Sequence, residues 1–427
     1  MGKALGSGHL DGTLTLVVLW LSSGVIDYPT GCLSTDERQD EHHDIPIRGG
    51  LPCSTLGALR SVLRTRSSTL RATTPTRDGV PPDSRTTMPT PLIEREITAH
   101  VSLTTPTGML NREALGWSRT PVHDTSGIPG RGHWGRNKRW EYWNVMTPSH
   151  IVAVTVSCVD YMALHELWVL DRATGDDIDT TVISPGGRSA TLPSSLGAGP
   201  TRARTRRITV DIDETFDGTR LRASTPRVSI DLLAGRPEAH ESLGVVVPWR
   251  LGDEIPRFQY TVKDVARPAT GTVTVDGAAH EVPTGSWAVL DHGRGRWPYR
   301  VRWNWAAASG VVDGRVIGLQ LGAKWTDGSG ATENALLVDG RLSKISEELV
   351  WDYDSEQFMR PWHVHGTSAD LVFTPFYDKH SHTNALVISS RTDQLFGVWT
   401  GWVRDENGTR VRVDGIEGFA EEVLNRW

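Results

Sequence analysis

The chain has 427 residues, of which 38% are hydrophobic and 22% charged, with a net charge of −6 at neutral pH. Without a basic excess it offers no electrostatic footprint for nucleic acid or an acidic membrane surface. Its three cysteines (Cys32, Cys53 and Cys158), with no Cys-x-x-Cys pair, exclude a disulfide-stapled miniprotein and a zinc finger. What stands out is the aromatic usage: 17 Trp against 7 Phe and 7 Tyr.

In chain order, residues 1–87 hold only Trp20 and Tyr28 as aromatics. So few large side chains cannot offset the entropy of ordering a backbone, so this head is expected to be a disordered leader or to precede the true start at Met88. Leu14–Ile26 is long enough for the core of a signal peptide and too short to span a bilayer. Its flank is weak, with Lys3 as the one preceding basic residue and Asp11 close by. Without the head, the chain reads as cytoplasmic.

From Leu92 the texture is that of a β protein. Alternating runs recur at Ile151–Ser157, Arg315–Leu321 and Val411–Val413. Asp-Gly pairs begin at Asp217, Asp276, Asp313, Asp327, Asp339 and Asp414, and such dipeptides favour the left-handed backbone of tight hairpins. Helical candidates are confined to Ser343–Trp351 and Phe419–Arg426. No βαβ rhythm or glycine-rich phosphate loop appears, which argues against a nucleotide-binding α/β enzyme. An antiparallel all-β protein of two barrel or sandwich-like units is expected, one over 92–282 and the other over 283–427.

The densest segment is Asp291-His-Gly-Arg-Gly-Arg-Trp-Pro-Tyr-Arg-Val-Arg-Trp-Asn-Trp305. On a strand Trp303 and Trp305 share a face and can wall a pocket. Asp291, ahead of a turn-rich stretch, could act as a general acid, with His292 or Glu333 as partner. The competing reading of Asp291 is an ion pair with the nearby arginines. In Thr332–Gly340, Glu333 and Asn334 interrupt a core-like strand, whereas Asp339-Gly340 reads as turn chemistry. Trp140, Tyr142 and Trp143 could line a binding mouth, or could belong to an amphipathic strand whose cationic stems, Lys138 and Arg139, cover indoles. His363-Val-His365 could supply half a metal site, and His380 and His382 repeat the spacing in a polar, loop-like run. Exposed histidines of this kind are commonplace, and neither a metal nor a cofactor is expected.

These segments resemble, in order, the bacterial domain-of-unknown-function family 2804 over about Ile93–Trp427. The matching pieces are Gly116–Arg119, Lys138–Trp143, Asp160-Tyr161, Glu241–Trp249, Phe258–Lys263, Asp291–Trp305, Thr332–Asn334, Phe396-Gly397 and Glu421–Trp427. The Asp-x-x-x-Gly element before Trp-x-Trp is also similar to one in carotenoid 1,2-hydratase-like and tocopherol-cyclase-like proteins, which carry paired lipocalin-like barrels. That resemblance implies a double calycin-like fold, Asp291 as proton donor to an alkene, and Trp303 and Trp305 as walls that steady a cation. The basic run His292–Arg296 departs from the distant relatives, since positive charge beside an acid opposes proton donation.

Three functions remain open from sequence. The first is cofactor-independent acid/base chemistry (hydration, isomerisation or cyclisation) on a small lipophilic molecule. The second is non-catalytic carriage of a lipid or pigment in a barrel mouth. The third is a carbohydrate-active protein, for which Asp291 and Glu333 would face each other across one cleft at about 5–10 Å.

Overall fold

The computed structural model describes residues 92–128, 133–251, 254–385 and 388–426. The expectations for residues 1–87 lie outside these. Among the described residues every regular element is a strand except one short 3-10 turn, Arg112–Ala114. No helix there is long and apolar enough to cross a membrane.

Two curled antiparallel sheets carry the fold, as the sequence pattern leads one to expect. In the first, Asp177–Pro185, Met162–Asp171, His150–Cys158, Asn137–Met146, Trp287–Arg296 and Glu254–Val275 lie side by side. The sheet continues through Val228–Gly235, Gly218–Ser224 and Thr209–Thr215, and Leu243–Leu251 pairs with the start of Glu254–Val275. The second sheet centres on Arg315–Ala323, Arg300–Val312, Ile416–Arg426, Ile388–Arg404 and Ala369–Ala385. The chain passes from one sheet to the other between Arg296 and Arg300, so Trp287–Arg296 belongs to the first sheet. That crossing lies beyond the division at 282/283 drawn from sequence.

Side-chain alternation divides the apolar residues among separate cores. Val152, Val154 and Val156 fill the inside of the first sheet, while Ile151 and Ala153 of the same strand face outward. There they join Trp305, Ala307, Phe396 and Phe419 from the second sheet. A strand covered on both faces reads as an unbroken apolar run, which accounts for Ile151–Val154, before the alternation shows at Thr155. The inside of the second sheet is a third core, built from Ala306, Ala308, Leu319, Leu321, Trp362 and Trp399. The two sheets therefore meet along a packed seam.

The Asp-Gly signals are realised directly. Asp276-Gly277, Asp313-Gly314 and Asp339-Gly340 all have positive φ at both residues, as two-residue hairpins of the right twist require. The 22-residue strand Glu254–Val275 can serve two directions because it bulges between Asp264 and Arg267. Arg267, fully buried, closes the bulge with Asp264 at 2.7 Å and with the carbonyls of Gly235 and Ala234, both at 2.6 Å.

Neither helical candidate is a helix: the first is strand at its two ends with an irregular stretch between, and the second is strand throughout. Ser343 lies in Arg341–Ile345, and Phe419–Arg426 lies in Ile416–Arg426. Glu347, Glu421 and Glu422 in these segments are buried. His380 and His382 likewise stand on the long strand Ala369–Ala385, not in a loop, and both are exposed, whereas Lys379, between them and Asp378, turns to Glu166 of the first sheet at 2.7 Å.

Candidate active site

Asp291 sits in mid-strand, and the turn-rich stretch expected after it is regular β structure as far as Arg296. Two glycines there are spacers for packing. A Cβ on Gly293 would collide with the Trp140 indole, and one on Gly295 with Gln259 and the Phe258 carbonyl. Asp291 pairs in register with Lys263 on one side and Tyr142 on the other. Because side chains alternate, Asp291 points into the seam and His292 points the opposite way.

Lys263 is the centre of the site. Its Nζ lies 3.1 Å from Asp291 Oδ1 and 3.5 Å from Glu333 Oε2, and 3.8 Å above the ring of Trp305. Asp291 thus belongs to an ion pair, but its partner is this lysine rather than any of the arginines that follow it. Thr261 Oγ1 also donates to Asp291 (2.8 Å). Asp291 and Lys263 come from the first sheet, whereas Glu333 and Trp305 come from the second. A third carboxylate, Glu421, feels the same lysine and joins the group through Gln394, whose Nε2 donates to it at 3.0 Å. Tyr142 in turn donates to Gln394 Oε1 (3.1 Å).

Each carboxylate is held by an indole N–H. Trp140 donates to Asp291 at 3.0 Å, Trp325 to Glu333 at 2.6 Å and Trp303 to Glu421 at 2.9 Å. Trp297 ties these indoles together, with ring centroids 5.4 Å from Trp140, 5.6 Å from Trp303 and 6.1 Å from Trp325. Asp291, Lys263, Glu333 and Glu421 are all buried, while Trp140, Tyr142 and Trp303 are half-buried and form the margin of the cluster.

The electrostatics follow from this geometry. Burial pushes Glu333 up to about 7; the Asp291 charge adds to that and Lys263 opposes it. Burial also raises Glu421 to about 7, opposed by the Trp303 hydrogen bond and Lys263. One ammonium among three carboxylates leaves negative charge in excess, and the Asp291 charge adds to the effect of burial on both glutamates. Glu333 Oε2 faces the Lys263 ammonium at 3.5 Å, while its other oxygen is fixed by Trp325. Gly322 makes room for this carboxyl, since a Cβ there would overlap it.

Of the residues singled out in sequence, Asp291, Glu333, Trp140, Tyr142, Trp303 and Trp305 are brought together, and three are not. His292 is fully buried on the inner side of the first sheet, with Nδ1 3.4 Å from Glu141. Burial and then Arg294 push it down to about 4. Trp143 packs in the first sheet's own core, since it alternates with Tyr142. Asn334 bridges backbone, accepting from Gly322 N (2.7 Å) and donating to Glu347 O (2.8 Å). Lys263, Glu421, Gln394, Trp297 and Trp325 were missed. The available signal was a lysine in the strand-like segment Tyr260–Val265 and a Glu pair in the last strand.

A cavity of about 310 Å³ opens elsewhere on the same seam, lined by Met146, Arg172, Trp287, Ser309 and Glu417 among others. Four of the strands that feed the cluster reach it four residues away: Asp291 to Trp287, Tyr142 to Met146, Trp305 to Ser309 and Glu421 to Glu417. At about 3.3 Å per residue that is roughly 13 Å along the seam.

Two curled antiparallel sheets joined along a seam that buries ionisable groups define a double β-barrel-like protein. The chain belongs to the family described as Domain of unknown function (DUF2804), matched over residues 94–427. No curated protein sequence matches it. Similar solved structures include an AttH protein of Nitrosomonas europaea, with 13% identity over 67% of this chain and 92% of that one (TM-score 0.44). Kievitone hydratase of Nectria haematococca is 10% identical, over 74% and 98% of the two chains (TM-score 0.42). CghA is 12% identical, over 74% and 97% (TM-score 0.43).

Proposed function

We propose that the seam cluster is a cofactor-independent acid/base site that protonates or isomerises a small lipophilic molecule. The observation that carries this reading is the convergence of three carboxylates on one lysine inside an indole wall, with two of them near 7. A general acid works best with its pKa near the operating pH. Glu333 meets that condition, with one oxygen fixed by Trp325 and the other facing Lys263. The acid role therefore passes from Asp291, its expected holder, to Glu333. Asp291 accepts three donors and serves as the fixed negative member that pairs with Lys263 and helps keep Glu333 protonated. The indole faces of Trp303 and Trp305 suit a developing cation, because the aromatic quadrupole attracts positive charge. The ammonium over Trp305 already uses that property. Hydration, isomerisation and cyclisation of an alkene all begin with the proton transfer that such a site can supply.

The carbohydrate reading fares worse. Asp291 and Glu333 are close enough, but the Lys263 ammonium stands between them where a glycosidic bond would have to lie.

The test is turnover of a panel of linear polyenes and prenylated phenols by wild type, Glu333→Gln and Asp291→Asn. Loss of turnover in both variants, with near-UV circular dichroism unchanged, is the expected result. Turnover that survives Glu333→Gln refutes the assignment. Saturable binding of a panel member that is recovered unaltered favours a lipid or pigment carrier.

A further inference from the structure

The His-x-His pair at 363 and 365 takes no part in the seam cluster, and the fold gives it companions that the sequence does not reveal. Trp362 and Val364 point into the second sheet's core and are essentially inaccessible, which fixes the strand Trp362–His365 with both imidazoles on its outer face. The rings stack with centroids 4.4 Å apart and planes inclined by 22°. Neighbouring strands add one carboxylate on each side. Asp352 is in register with His363, and Asp370 is in register with His365. Asp352 Oδ2 lies 2.9 Å from His365 Nε2, and Asp370 Oδ1 lies 2.8 Å from His363 Nε2. One ligand atom each from Asp352, His363 and His365 fall within 4.8 Å of one another.

We propose that Asp352, His363 and His365 bind a divalent first-row transition-metal ion, zinc in the first instance, with Asp370 as the carboxylate that orients His363. Three lines of chemistry support this. Two imidazoles and a carboxylate are a borderline donor set that suits zinc and its neighbours and disfavours magnesium or calcium, which take all-oxygen shells. Tetrahedral zinc with bonds of about 2.0–2.1 Å holds its donors about 3.3 Å apart, so these three need only a small contraction. All four side chains are solvent-accessible, between 36% and 64% exposed, so the contraction requires torsional rotation and no backbone movement. A carboxylate on the second nitrogen of a ligand histidine is the usual means of fixing its tautomer, and Asp370 holds that position on His363. Solvent remains on the fourth side, so the site is open to water or an exogenous ligand. His380 and His382 share the spacing but differ in surroundings: His380 pairs with Asp393 at 2.6 Å, and His382 projects into solvent from its strand.

The experiment uses the untagged full chain, stripped with chelator and titrated with zinc sulfate by isothermal calorimetry in competition with a chromophoric chelator. The expected result is one zinc per chain, lost in the double variant His363→Ala/His365→Ala and unchanged in His380→Ala/His382→Ala. Asp370→Asn should weaken binding by about 10–100-fold, the range for a carboxylate behind a ligand histidine. Excess magnesium should not compete. Circular dichroism of the double variant should match wild type, since both side chains lie outside the core. An anomalous diffraction peak at the zinc edge between the two rings provides an independent check. Saturable zinc binding that survives the double variant, or its absence in wild type with zinc in excess, overturns the proposal.

Discussion

Replacing Glu333 by glutamine should alter how stability depends on pH, with a sign and size set by the structure. Glu333 is fully buried and titrates near 7, against an ordinary value of 4.5. Each unit of displacement corresponds to about 1.36 kcal/mol. Ionising this carboxyl in the folded chain therefore costs about 3 kcal/mol relative to the unfolded chain. Because the folded value is the higher one, the folded state holds more protons between pH 4.5 and 7. Stability must fall as pH rises through that window, and the loss is complete above it. A glutamine side chain cannot ionise, so the Glu333→Gln variant escapes this loss. Relative to wild type it should gain about 3 kcal/mol between about pH 4.5 and pH 8, superimposed on a constant offset from the altered contacts with Trp325 and Lys263. Carboxylates held low elsewhere, such as Asp264 and Glu347, act equally in both proteins and cancel in the difference. Interaction with Glu421 through the shared lysine spreads the change over a wider pH range without reversing it. Urea unfolding of both proteins across this range, followed by tryptophan fluorescence, measures the gap directly. A gap that stays constant with pH, or that widens in favour of wild type as pH rises, refutes the reasoning.

Three further outcomes follow from the same geometry. Lys263→Met removes the cation that faces Asp291 and Glu333 and should cost about 3–5 kcal/mol at about pH 8. The loss should be smaller at about pH 5, where Glu333 and Glu421 are protonated, and urea titrations at the two pH values check both statements. Gly322→Ala forces the Glu333 carboxyl out of its place and should cost about 1–3 kcal/mol, with loss of any turnover that depends on Glu333; thermal unfolding and the substrate panel test it. Trp325→Phe keeps the apolar ring but deletes the N–H that favours the ionised form, so Glu333 should titrate above 7. The carboxylic C=O infrared band should then persist to higher pH than in wild type.

How far the sequence was legible depends on whether a residue's meaning is local. Asp276-Gly277, Asp313-Gly314 and Asp339-Gly340 were readable as hairpin turns because a positive φ is a requirement of the residues themselves. The shared face of Trp303 and Trp305 was readable from alternation alone. Lys263 was not, because nothing in Tyr260–Val265 indicates that a carboxylate from the other sheet will lie against it. Glu421 was masked differently: a Glu pair in Phe419–Arg426 looks like the solvent face of a helix until the strand partners Trp305 and Gln394 are known. His292 misled for the converse reason. Adjacent in sequence to Asp291, it is on the other side of the sheet, and adjacency along a strand means opposition in space.

The excess of Trp over Phe and Tyr then acquires a physical account. A seam between two sheets needs large apolar side chains, and Phe would supply those equally well. Three buried carboxylates also need donors, and the donor chosen sets their protonation. Arginines in those places would hold all three ionised, and Phe would remove one donor from each. An indole buries a large apolar area and offers one uncharged N–H, enough to satisfy a single oxygen without supplying a full positive charge. Trp140, Trp303 and Trp325 do this for Asp291, Glu421 and Glu333, while Lys263 supplies the cation that Asp291 and Glu333 share. Burial lifts Glu333 and Glu421 to about 7, and an uncharged indole donor opposes that rise only in part. On this argument the tryptophans wall the site and, by being uncharged donors, also keep its acids able to give up a proton at neutral pH.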